Sequence, residues 1–142
     1  MLMPEVFTKT RRILVADDDP TIRRLITSLI EKDGYEPVVV NDGGAACRVL
    51  QNDANFCAAI FDMVMPNLAG IDVIRFMHTE KRLLRIPVML VTSMEELELM
   101  ASSFSAGATV FLRKPFRPEQ FLAIFRLLVN DSNRRSLNPV QS

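Results

Sequence analysis

The sequence predicts an α/β domain built on one parallel β-sheet. Three observations predict it. Five short apolar runs, at 13–16, 37–40, 58–61, 88–91 and 109–112, are rich in Val, Ile and Phe. They are nearly continuous in hydrophobicity, as strands buried on both faces are. Helical patterns separate them with no element left over, which gives the order βαβαβαβαβα and right-handed crossovers.

The first strand, 13–16, leads into a helix over 20–32. There Ile22, Leu25, Ile26, Leu29 and Ile30 share one face, and Pro20 suits the first turn. Asp19 is placed to cap this helix, and Gly34 stands where a C-terminal cap is wanted. A short second helix is predicted over 43–51 and a third over 70–80, with Ile71, Ile74 and Met77 at helical spacing. A fourth, over 95–105, is acidic in its first turn and is followed by Gly107. The fifth, over 117–129, carries Phe121, Leu122, Phe125, Leu128 and Val129 in its apolar positions. Residues 1–10 read as an N-terminal tail, 11–130 as the domain, and 131–142 as a C-terminal tail or the start of a linker.

Length and composition narrow the function classes. A chain of 142 residues fits one domain and buries roughly 70% of its unfolded surface, so a core forms without staples. The 17 basic and 17 acidic residues balance, which disfavours a nucleic-acid-binding surface. No apolar run approaches the ~18 residues of a membrane span. Cys47 and Cys57 read as buried reduced thiols. They form no CxxC, and the only histidine, His78, is far off in sequence, so zinc has no ligand set. With no signal peptide visible before Arg12, a cytoplasmic protein is expected.

In an open parallel sheet, ligands bind beyond the carboxyl ends of the strands. The first strand is followed there by Asp17, Asp18 and Asp19, the third by Asp62, the fourth by Thr92 and Ser93, and the fifth by Lys114 and Pro115. The second ends in Asn41 and Asp42, nothing distinctive. A single such aspartate is most often a helix cap. Gathered at one edge, however, Asp17, Asp18 and Asp62 repel. Like charges about 4 Å apart cost about 4 kcal/mol at an effective dielectric of about 20. Lys114 offsets part of this. A hard divalent cation such as Mg²⁺, which takes oxygen ligands and keeps waters for a phosphate partner, would offset the rest.

These residues resemble a known family. The stretch 13–23, ILVADDDPTIR, the stretch 61–66, FDMVMP, with Gly70, the Val91-Thr92 strand end, Ala106-Gly107-Ala108 and Lys114-Pro115-Phe116 are similar to the receiver domain of two-component response regulators. The resemblance covers about residues 11–130, with its motifs in order at the right strand ends. It implies a doubly wound, flavodoxin-like receiver fold with strand order 2-1-3-4-5. It implies Asp62 as phosphoacceptor from a sensor histidine kinase or histidine phosphotransfer protein. Asp17 and Asp18, with Asp62 and the backbone carbonyl of Val64, would hold Mg²⁺. Lys114 would pair with the phosphoryl group, and Thr92 would turn its hydroxyl toward it. Phe111 matches the switch aromatic. Such a protein is no enzyme in the usual sense, catalysing only its own phosphotransfer and autodephosphorylation.

The same residues admit other readings. Asp17-x-Asp19-x-Thr21 also resembles the nucleophile motif of haloacid-dehalogenase-type phosphatases, but no acidic pair follows Lys114 and Asp62 would go unexplained. A flavodoxin-like binder would place Ser, Thr and Gly where three aspartates stand. The remaining alternative is a receiver-like docking module that works without phosphorylation. Two departures from the family pattern stand out: Ala69, which removes a helix cap, and Ser93 beside Thr92.

Output is expected through the surface of the 95–105 helix, the fifth strand and the 117–129 helix, toward a downstream protein target or effector domain. Leu127 lies off the apolar stripe, so a homodimer through this surface is also open. Val64 and Met94 are expected to shield the phosphoaspartate from water. Glu95, Glu96 and Glu98 form an acidic patch, and Arg75, Lys81, Arg82 and Arg85 a basic stretch. No direct nucleic-acid or membrane contact is expected.

Overall fold

The computed structural model describes residues 10–93, 101, 105–108 and 110–137, with 131–137 as backbone alone. The elements follow the predicted alternation: β1 (Arg12–Ala16), α1 (Pro20–Lys32), β2 (Glu36–Val40), α2 (Gly43–Asn52), β3 (Ala58–Asp62), α3 (Gly70–Met77), β4 (Val88–Thr92), β5 (Val110–Arg113) and a C-terminal helix, Pro118–Leu137. A 3-10 turn, Lys81–Leu83, connects α3 to β4.

All four strand pairings are parallel, and the order is β2-β1-β3-β4-β5. Winding reverses between β1 and β3, which opens a crevice at their carboxyl ends. Alternation along the strands builds two cores. Leu14, Ala16, Ala59, Phe61, Val88 and Leu90 pack with residues of α2 and α3. Their neighbours Ile13, Val15, Ala58, Ile60, Met89 and Val91 pack with Ile26 and Ile30 of α1 and with Phe121 and Phe125 of the C-terminal helix. Phe121 and Phe125 stack at 5.6 Å, and Tyr35 meets Phe125 edge-on at 5.1 Å.

The ends of α1 are set by local chemistry. Asp19 accepts from the Thr21 and Ile22 amides, satisfying donors that the helix cannot. At the other end Gly34 takes φ +90°, while its N–H donates to Glu31 O and that of Tyr35 to Ile30 O. This paired closure needs the left-handed conformation that glycine adopts at no steric cost.

The apolar run alone suggests a second strand buried on both faces, but β2 lies at the sheet edge, as the order 2-1-3-4-5 requires, with Glu36 and Val39 exposed. Helix α3 stops at Met77, not at residue 80, because the chain tightens into i→i−3 bonds from Thr79 to Phe76 O and from Glu80 to Met77 O. The fifth strand, Val110–Arg113, runs one residue past its predicted end, and the predicted first residue, 109, lies outside the described residues. The C-terminal helix continues to Leu137, so 131–137 is helical backbone rather than loose tail. The helix predicted over 95–105 falls almost wholly outside the described residues, as do Met94 and Glu95, Glu96 and Glu98. Among the described residues no helix is long and apolar enough to cross a membrane.

Candidate functional site

The site forms where β1, β3, β4 and β5 end. Asp17 follows β1 directly and is buried, as are Asp62, the last residue of β3, and Thr92, the last of β4. Asp18, next in chain, is exposed. Carboxylate oxygens of Asp17, Asp18 and Asp62 lie within 4.8 Å of one another. Lys114 enters from the end of β5. Its N–H donates to Thr92 O at 2.7 Å, and its Nζ reaches Asp62 Oδ2 at 3.2 Å and lies 3.6 Å from Asp17 Oδ2. The Lys114–Pro115 peptide is cis.

One ammonium against three carboxylates leaves the pocket anionic. Burial pushes the Asp17 carboxyl up to about 6; the Asp19 amide opposes the rise, Asp62 adds to it, and Lys114 opposes it. Protonated, this carboxyl can donate to Asp62. Ionised, its Oδ2 is a buried oxygen with no hydrogen-bond donor. A buried unpaired acceptor is costly, and a cation would satisfy it. The donor set is oxygen only, rigid on the Asp17 and Asp62 sides and open to solvent at Asp18. That set fits a hard divalent ion that retains waters.

The loop after β3 frames the pocket. The Val64 N–H donates to Asp62 Oδ1 at 3.3 Å, and the Val64 side chain is 59% exposed. Asn67 takes φ +72°, with the Leu68 N–H bonded to Pro66 O at 2.8 Å, a γ-turn. Gly70 closes the loop through its N–H to Met63 O at 2.9 Å. A Cβ there would run into the Asp62 carbonyl and come within 2.8 Å of Leu90 Cδ2. Gly43 at the start of α2 packs as tightly on Leu68, so α2 braces the loop. Ala69 offers α3 no side-chain acceptor. Asp72 supplies the reciprocal contact, accepting from the Ala69 N–H at 3.2 Å.

Asp17, Asp18, Asp62, Thr92, Lys114 and the Val64 segment, all singled out in the sequence, therefore come together at one edge. Phe111 does not join them. It lies in β5 opposite Leu90, half-buried against the α2/α3 core. Sequence reasoning missed Arg23, whose Nη1 donates to the Asp17 carbonyl at 2.9 Å. Its position one turn into α1, close in sequence to Asp17, was the available signal.

The basic stretch is also more committed than its sequence suggests. Arg82 donates to Gln51 O at 3.0 Å, and Arg85 to Phe56 O at 2.9 Å and to Ala54 O. These arginines tie the end of α2 and the α2–β3 connection to the segment before β4. On the C-terminal helix Leu127 is 68% exposed. Both cysteines are free and buried.

The family model for the response regulator receiver domain matches residues 13–126. The chain is 33% identical over 126 residues to the DNA-binding dual master transcriptional regulator RpaA of Synechocystis, covering 87% of this chain and 51% of that protein. It is 30% identical over 105 residues to the chemotaxis protein CheY of Pseudomonas aeruginosa, covering 74% of this chain and 85% of CheY. The chain thus spans about half the length of the DNA-binding regulators that it matches. In structure it resembles the receiver domain of the sensor histidine kinase PA1611 from P. aeruginosa, solved with a magnesium ion coordinated in its active-site cleft. The TM-score is 0.77 at 23% identity, over 85% of this chain and 98% of that one.

Proposed function

The chain belongs to the response regulator receiver domain family, and from that premise we propose that it is a phosphoacceptor receiver domain charged on Asp62. The observation that carries the reading is the Lys114–Asp62 contact at the mouth of the Asp17, Asp18 and Asp62 cluster. Receiver-like docking modules that dispense with phosphorylation have no need to keep that whole set.

The phosphodonor would be a phosphohistidine on a sensor histidine kinase or a histidine phosphotransfer protein. An Asp62 carboxylate oxygen attacks phosphorus as the bond to the imidazole nitrogen breaks. The bonding pair returns to the ring, and an acyl phosphate remains on Asp62. Such transfer asks the protein for positioning and charge neutralisation more than for covalent help. Lys114 would pair with a phosphoryl oxygen, and the Thr92 hydroxyl, at the end of β4, would donate a hydrogen bond to another. Mg²⁺ held by Asp17, Asp18, Asp62 and the Val64 carbonyl would supply the remaining positive charge. Val64, exposed two residues after Asp62, would shield the acyl phosphate from water.

The catalysis is confined to the chain's own phosphotransfer and autodephosphorylation. Output would pass through β5 with Phe111, the C-terminal helix and the 95–105 segment, to a downstream protein target, an effector domain or a second copy, by population shift. The cytoplasm is the compartment in which such donors are met.

Incubation with Mg²⁺ and acetyl phosphate tests this. The expected product is a covalent phosphoryl group that hydroxylamine removes and that EDTA prevents. Mg²⁺ binding without any phosphoryl addition would instead favour the docking module.

A further inference from the structure

We infer that Arg23 is a positioning residue that fixes the cation-binding geometry of Asp17; this rests on the proposed function above. Asp17 is anchored on three sides. Its N–H points to Val40 O at 3.4 Å, its Oδ1 accepts the Asp19 N–H at 2.8 Å, and its carbonyl accepts Arg23 Nη1 at 2.9 Å. Only Oδ2 is left, and it faces Asp62 and Lys114 with no donor of its own.

Of these three anchors, the Arg23 contact is the one made by a charged side chain. The first is long, and the second is a turn within the same three residues. Arg23 reaches back from α1, where its own N–H bonds Asp19 O at 2.9 Å and its carbonyl accepts from Thr27 Oγ1 at 2.6 Å. The guanidinium is half-buried, so the bond is charge-assisted and partly shielded from water. It couples the first turn of α1 to the end of β1, across the turn that carries Asp17 and Asp18. Without it the Asp17 carbonyl loses its side-chain anchor, and the turn that aims Oδ2 is held only by the long Val40 contact and the local Asp19 bond. A group that orients a metal ligand without touching the metal tunes affinity in this way.

The contact uses a single guanidinium nitrogen, so a lysine ammonium can replace it, whereas glutamine and alanine cannot supply the charge. Calorimetric Mg²⁺ titration of the full chain as wild type, Arg23→Lys, Arg23→Gln and Arg23→Ala tests the inference, with thermal melts as the control for folding. Arg23→Ala and Arg23→Gln are expected to weaken Mg²⁺ by about tenfold, and Arg23→Lys to recover most of that. Phosphorylation by acetyl phosphate is expected to slow in Arg23→Ala at low Mg²⁺ and to recover at saturating Mg²⁺. Wild-type Mg²⁺ affinity in a folded Arg23→Ala or Arg23→Gln overturns the inference. So does a rate deficit that persists at saturating Mg²⁺, which would make Arg23 a donor contact. If wild type binds Mg²⁺ in an Arg23-dependent way yet takes no phosphoryl group, the proposed function fails and the positioning role stands. If wild type binds no Mg²⁺, both fail.

Discussion

Lys114 Nζ stands 3.2 Å from Asp62 Oδ2, a contact that joins the end of β5 to the end of β3 in a half-buried setting. It makes Lys114 the counter-charge of the acidic pocket. Lys114→Met is therefore expected to abolish most acyl-phosphate formation and also to destabilise the cation-free domain. Removing one partner of a buried pair costs about 3–5 kcal/mol, and partial exposure here reduces this toward about 1–2 kcal/mol. Urea unfolding with and without Mg²⁺ checks it: the loss should be largest without the ion. An unchanged midpoint in EDTA would contradict the assigned role.

Asp17 predicts the opposite sign. Its carboxylate is buried, faces Asp62 and leaves Oδ2 without a donor. Asp17→Asn removes one like charge, so it should stabilise the domain in EDTA by about 1–2 kcal/mol. It should also cancel the stabilisation that Mg²⁺ gives to wild type. Paired thermal melts in EDTA and in Mg²⁺ would show both effects. A mutant less stable than wild type in EDTA would mean that the cluster is no liability.

Gly70 has no room for a methyl group. Gly70→Ala would press on the Asp62 carbonyl and on Leu90, and overpacking of this kind costs about 1–3 kcal/mol. Because the strain falls on the Asp62 backbone, phosphorylation should slow along with the loss of stability. Gly44→Ala, whose nearest neighbours are side-chain atoms at 3.3 Å and 3.5 Å, is the control, with a smaller expected effect on both.

Burial pushes the Cys57 thiol up to about 11, against small opposing effects from its own backbone and from Arg11 and Arg85. The folded value lies above the ordinary thiol value. The stability that it contributes is thus fully present below about pH 9 and is lost as pH rises toward about 11. At pH 8 the native thiol should resist iodoacetamide, with labelling that follows unfolding in denaturant. Labelling in the native state as fast as for a free thiol would contradict its burial.

Much of this was legible in the sequence for physical reasons. The apolar runs fix buried strands, and the alternation with helices fixes a parallel sheet. Asp19 and Gly34 mark the ends of α1 by local chemistry alone. The acids and Lys114 stand at strand ends, and parallel strands bring those ends to one edge. What was not legible depends on tertiary placement. Exposure of β2 follows from its place at the sheet edge, which the strand order implied by the resemblance carries but the apolar run itself does not show. Arg82 and Arg85 look like surface charge because bonds to the carbonyls of Gln51, Ala54 and Phe56 leave no periodic trace in sequence. Arg23 bonds a main-chain oxygen too, and its one sequence signal is its place one turn into α1, close to Asp17. Helical backbone through Leu137 outruns the apolar stripe, which ends near Val129.

Asp62 as the phosphoacceptor is the premise on which the other roles depend. Intact-mass measurement after incubation with Mg²⁺ and acetyl phosphate, on wild type and Asp62→Asn side by side, tests this most directly. One added phosphoryl group is expected on wild type and none on Asp62→Asn, with both proteins folded. Equal addition to both, or none to a wild type that binds Mg²⁺, would contradict it.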